Sequence, residues 1–150
     1  MNSLTRERAK ELIRELRIPS FFLNVIDEKV SPPLDMYFGC PTLYYLNSEE
    51  QEAYHLGDIL PLWEDGGGYM QYAYDIENRD YIAFDIEGGE PSRYSWDELV
   101  RSVIDTLIEH EFEEQENLEY VLAEIRVLLK DLDIKNFNKI AENIIVEWSG

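Results

Sequence analysis

The chain has 150 residues, 45% apolar and 30% charged, and carries a net charge of −19 from 32 acidic and 13 basic residues. That length suits one domain that buries roughly 68–70% of its unfolded surface, and the apolar content excludes a disordered chain. So acidic a surface argues against direct nucleic-acid binding, which relies on cations neutralising phosphates, and a single cysteine, Cys40, excludes an internal disulfide and any zinc-finger spacing.

In chain order, residues 3–17 predict a helix, with Ser3 as cap and Ala9, Leu12, Ile13 and Leu16 on one face until Pro19 ends it. The opening residues hold neither an apolar leader core nor a cleavage site, and no stretch approaches 18 apolar residues, so a cytosolic protein without a membrane span is expected. The run FFLNVI (21–26) reads as a strand or a buried turn, SPPLD (31–35) as a rigid loop, and TLYYL (42–46) as a strand. Residues 48–58 are either a short helix capped by Ser48 or a loop ending at Gly57, and 59–63 form a short segment broken by Pro61.

Two alternating runs follow. Met70, Tyr72, Tyr74 and Ile76 share one side of the first, opposite Gln71, Ala73 and Asp75; Ile82, Phe84 and Ile86 oppose Tyr81, Ala83 and Asp85 in the second. With the polar break ENRD (77–80) between them they predict a hairpin, and EGGEPSR (87–93) is the next turn. Ser95 then caps a helix to about Glu109, with Asp97 and Glu98 in its positive first turn. An acidic hinge spans 109–117, and two further helices run over 118–130 and about 134–148, the last with Phe137, Ala141, Ile144, Ile145 and Trp148 aligned. Helix, antiparallel strands, then helices predict an α+β fold with helices flanking one sheet, in a single domain of residues 1–150.

The chemistry-bearing motifs fail one by one. Gly66–Gly68 lack the Lys-Ser/Thr of a phosphate loop and are followed by a strand, where a dinucleotide site needs a helix; the glycines read as conformational, turning the chain into an edge or bulged strand. The acids of the hairpin do not meet the calcium-loop spacing, because Arg79, Asp80 and Ile86 stand at positions 5, 6 and 12 counted from Asp75. His55 and His110 read as surface residues and Cys40 as a structural thiol. No residue pattern singles out a catalytic centre, a metal site or a cofactor, and none is expected.

The charge is uneven. Residues 1–20 carry five Arg/Lys against three Glu, whereas residues 47–119 carry three Arg against 21 acids. The plain reading is solubility; the functional one is attraction to a basic protein, expressed mainly in the on-rate. Tyr44, Tyr45, Tyr54, Tyr69, Tyr72, Tyr74, Tyr81 and Trp63 crowd the same region, and tyrosine beside carboxylate suits a protein interface, although many of these rings must serve the core. The candidate partner-binding set is Glu64, Asp65, Tyr69, Asp75, Glu77, Asp80, Tyr81, Asp85 and Glu87.

Three stretches carry a resemblance to a known family: LGDILPLWEDGGGYMQYAYDI (56–76), DYIAFDIE (80–87) and YSWDELVRSVIDTL (94–107). Together with the N-terminal helix and Phe38-Gly39, they resemble the SMI1/KNR4 (SUKH) superfamily over residues 1–110, leaving 111–150 as a C-terminal helical extension. The resemblance implies an antiparallel sheet with flanking helices and no catalytic residues. It also implies one of two roles. Bacterial members are often immunity proteins that bind and neutralise a cognate toxin, commonly a nuclease; eukaryotic members act as regulatory adaptors on host proteins. The acidity fits an inhibitor that mimics a phosphate backbone. An enzyme built on a carboxylate pair is the third reading, and it requires a concave pocket with acids of raised pKa.

Overall fold

The computed structural model of the chain describes residues 3–114 and 116–149. It is α+β, with a four-stranded antiparallel sheet in the order β1-β2-β3-β4 and six α-helices among the described residues. The chain divides into two compact units, the first ending at Tyr94 and the second beginning at Ser95. That division falls within the 1–110 stretch that carries the family resemblance.

In the first unit, α1 (Arg6–Glu15) is capped by Thr5, whose side chain accepts from Arg8 N, rather than by Ser3; it buries Ala9 and Ile13. The run FFLNVI is α2 (Phe21–Ile26), not a strand or a turn. Its buried residues, Phe21, Phe22, Val25 and Ile26, fall at helical spacing, and its two rings pack edge-on to Phe38. TLYYL is also helical, a 3-10 turn over Thr42–Tyr45. Adjacent Leu43 and Tyr44 are both buried there, and Tyr44 donates to Pro61 O. α3 (Ser48–Ala53) is closed by a full capping box from Asn47 and Glu50, so the cap stands one residue before Ser48. Gln51 of α3 is buried as a polar clamp. Its Oε1 accepts from Leu4 N at 2.6 Å, and its Nε2 donates to Leu4 O at 3.2 Å and Leu43 O at 3.3 Å.

The strand β1 (Ile59–Glu64) runs through Pro61 instead of breaking there, with a bulge between Pro61 and Trp63. Proline is tolerated because β1 is the sheet's outer strand. Beyond the bulge, Gly39 and Glu64 exchange two backbone hydrogen bonds of 2.9 Å, which covers that edge. β2 (Met70–Asp75) and β3 (Asp80–Asp85) form the expected hairpin. The turn residues 87–93 include a short strand that periodicity did not show, β4 (Ser92–Tyr94), paired with β3 from Tyr81 to Ala83.

The two sides of the sheet differ in kind. One carries Trp63, Tyr72, Tyr74 and Tyr81: Trp63 stacks on Tyr72 at 4.5 Å and on Phe22 at 5.3 Å, and Tyr74 meets Tyr81 edge-on at 5.2 Å. The other buries Gln71, Ala73 and Asp75, so along β2 the polar-looking side is the more deeply buried one.

In the second unit, α4 (Trp96–Glu111) is capped by Ser95 as expected, and Glu98 completes a capping box with it. α5 (Leu118–Leu128) is capped by Asn117, and α6 (Phe137–Ser149) buries Phe137, Ile140 and Ile144 while Trp148 is exposed. Of the expected line, Phe137 and Ile144 are buried, Ala141 and Ile145 are half-buried and Trp148 is exposed, while Ile140 joins the buried stripe.

Candidate protein-binding surface

The nine candidate residues do not form one surface. The hairpin separates them into two groups at opposite ends of β2 and β3, about 17 Å apart for five residue steps along a strand. At the β1–β2 turn stand Glu64, Asp65, Tyr69, Asp85 and Glu87, joined by the Met70–Asp85 register and by Ile86 N donating to Tyr69 O at 2.9 Å. At the β2–β3 turn stand Asp75, Glu77, Asp80 and Tyr81.

Burial removes three of the nine from any surface. Glu64 is buried, and its carboxylate accepts from Thr42 N at 2.5 Å, tying the 42–45 turn to β1. Tyr81 is buried on the aromatic side of the sheet, and burial pushes its phenol up to about 12. Asp75 is buried and organises its own turn: it accepts from Asn78 N at 3.0 Å, Asn78 Nδ2 at 2.8 Å and Arg93 Nη1 at 3.0 Å. These bonds, the Asn78 pair foremost, hold its carboxyl below the usual range. Arg93 also reaches Asp80 at 2.9 Å, so Asp80 is engaged within the fold. Only Glu77 is both exposed and uncommitted in this group.

The β1–β2 end is the open one. Asp65 N donates to Met70 O, Gly68 N donates to Asp65 O, and Asp65 Oδ1 accepts from the amides of Tyr69 and Met70, so Asp65 shapes the turn. Two of the three glycines are required there. Gly68 sits at φ +75°, and a Cβ on Gly66 would lie 2.8 Å from Met36 O. The close approach of Gly66 brings the 34–36 turn beside the hairpin. Tyr69 is 57% exposed and Met36 is 67% exposed, so two large apolar side chains stand in water at this end, and Asp35, Asp85 and Glu87 are exposed on the segments that meet there. No lysine or arginine occurs between Lys29 and Arg79.

Met36 was missed from sequence because it lies in a loop, where no periodicity separates an exposed apolar residue from a buried one. Its position directly after Pro-Pro-Leu-Asp was the available sign.

Beneath this end Gln71 is fully buried opposite Glu64, with Nε2 donating to Gly68 O at 3.2 Å and Oε1 lacking a hydrogen-bond partner among the described residues. Cys40 is half-buried, and burial pushes its thiol up to about 11, the behaviour of a structural thiol rather than a nucleophile. Among the described residues no three His, Cys, Asp or Glu side chains gather as a metal site requires, and no helix is long and apolar enough to cross a membrane.

No family model, curated protein or solved structure significantly matches the chain.

Proposed function

We propose that the chain is a non-catalytic protein-binding module of the cytoplasm, an immunity protein that neutralises a basic toxin domain, often a nuclease, by binding it. One observation carries the reading: Tyr69 on the β1–β2 turn and Met36 on the segment packed against Gly66 of that turn are both exposed, and Asp35, Asp85 and Glu87 are exposed on the segments that meet there. Large, adaptable apolar groups beside exposed acids have the composition of an interface anchor with a charged rim. The rim steers a basic partner and the anchors hold it. The resemblance to SUKH immunity proteins adds the toxin, and the acidity adds the likeness to a phosphate backbone.

The test is rescue. The C-terminal domain encoded by the adjacent upstream gene is expressed with and without this chain, and survival is scored. Rescue accompanied by a complex that weakens with salt is the expected result, with Tyr69→Ala and Met36→Ala losing rescue while remaining folded. Toxicity without rescue refutes the reading. Absence of toxicity, with stable capture of a single host protein, replaces it with a regulatory adaptor of the same fold.

A further inference from the structure

A concave feature lies in the first unit, between the C-terminal end of α3 and the part of β3 that β4 leaves uncovered. β4 pairs with β3 only as far as Ala83. Beyond it, Phe84 and the loop through Gly88 and Gly89 border a groove of about 300 Å³ whose apolar lining includes Tyr54, Ile59, Ile82 and Phe84. Its floor is well supported: Ile59 and Ile82 are buried, the rings of Tyr54 and Phe84 lie 6.4 Å apart at 27°, and Tyr54 OH donates to Ile86 O at 3.0 Å.

We infer that this groove receives an arginine side chain from an extended, basic segment of the protein partner. The inference rests on the proposed function for the partner's basic character and adds where and how its charge is read.

Three features select the occupant. The volume sits at the lower end of the usual ~300–1,000 Å³ for ligand pockets, so it suits one long side chain better than a helix or a cofactor. The floor is aromatic and aliphatic, which favours an apolar stem and a planar head. The surroundings are predominantly acidic: Asp85, which accepts from Glu87 N at 2.8 Å, and His55 border the groove, and Glu52, Asp58, Glu87 and Glu90 are exposed on the segments that border it. The arginine nearest in the sheet, Arg93, is held by Asp75 and Asp80, so it does not neutralise these acids. Arginine combines a stem that lies on apolar surface with a planar cation that stacks on rings, whereas the lysine ammonium is a strongly hydrated point charge. The approach is clear. Gly88 and Gly89 have φ of +123° and +111°, and nothing lies within 4 Å of where a Cβ would stand on either.

The test uses the full chain, labelled with nitrogen-15, titrated with N-acetyl-arginine methylamide and, separately, with the norleucine and lysine analogues. Saturable amide shifts confined to Tyr54, Ile82, Phe84, Gly88 and Gly89 are expected with the arginine probe, with the other two binding about threefold or more weakly. Ala53→Phe, which introduces a ring at an exposed position on the groove wall, should abolish these shifts. Glu90→Lys, which leaves the floor untouched, should weaken them about threefold. Shifts spread over the acidic surface, unaltered by Ala53→Phe, overturn the inference. So does equal binding of norleucine. A basic protein captured equally well by the parent chain and by Ala53→Phe also overturns it, while leaving the proposed function standing. Loss of capture in Tyr69→Ala together with full arginine binding in the groove tells the two surfaces apart.

Discussion

Replacing Asp75 by alanine tests the claim that this acid builds the hairpin instead of meeting a partner. Asp75 is 7% exposed and accepts two hydrogen bonds from Asn78 and one from Arg93. Hydrogen bonds to a charged group contribute about 1.5–3 kcal/mol each when their loss strands a buried partner. Here the Asn78 groups are partly reached by water, and Arg93, half-exposed, keeps Asp80, so the ion pair adds at most about 1 kcal/mol. The expected loss is about 3 kcal/mol, or a fall in Tm of about 10 °C for a chain of this length. The sign with pH follows from the depressed carboxyl. Its folded pKa lies below the ordinary 3.8, so the stabilisation is complete above about pH 4 and disappears as pH falls through the folded value. Urea denaturation from pH 7 to pH 2.5, with hydrogen exchange of the β2 and β3 amides reporting on the first unit, measures both effects. The parent chain should lose its advantage over Asp75→Ala below pH 4. A difference under 1 kcal/mol at pH 7, or one that is constant down to pH 2.5, refutes the reasoning.

Four further outcomes are expected. Gly66→Ala places a methyl 2.8 Å from the Met36 carbonyl and should cost about 1–3 kcal/mol in chemical denaturation, whereas Gly67→Ala, which meets the movable, exposed Tyr69 ring at 3.2 Å and Asp65 Oδ1 at 3.9 Å, should cost much less; equal effects at the two positions count against the packing described. Trp63→Ala removes the centre of the Phe22–Trp63–Tyr72 stack and should destabilise the first unit by about 3–5 kcal/mol, read by urea denaturation, and a loss below 1 kcal/mol argues against a buried stack. Ser95→Ala breaks the α4 capping box and should lower stability by about 1 kcal/mol, visible as faster exchange of the first-turn amides of α4. Raising the Cys40 thiol to about 11 cuts its thiolate fraction near neutral pH, an effect only partly offset by the greater nucleophilicity of the thiolate, so iodoacetamide should alkylate it at least about tenfold more slowly than free cysteine; comparable rates would contradict its burial.

For the binding surface, the lesson is that exposure could not be read from residue type. Reversing Glu64 and Asp65 to lysine looks like a surface experiment in the sequence. In the structure Glu64 is a buried acceptor for Thr42 N and Asp65 holds two turn amides, so that double variant tests folding. Tyr69→Ala, Met36→Ala and Glu87→Lys are the substitutions that change the surface alone.

What the sequence by itself determined was local and periodic. The hairpin from alternation at 70–85, the Ser95 cap, the helices α1, α4, α5 and α6, and the conformational role of the glycines each depend on a few neighbouring residues whose preferences agree. What only the tertiary structure decided was everything set by partners distant in the chain. FFLNVI and TLYYL are too short for their own periodicity to choose a state, and they are helical because Phe38, Trp63 and Pro61 O receive their rings. β4 exists because β3 offers it an edge. The side of β2 that is buried also escaped the sequence, since the alternation of Tyr72 and Tyr74 with Gln71, Ala73 and Asp75 fixes two sides without ranking them. Packing placed the polar side inward, where Asn78 and Arg93 satisfy Asp75, and left Tyr69 and Met36 outside, because burial is a property of what surrounds a residue and not of the residue itself.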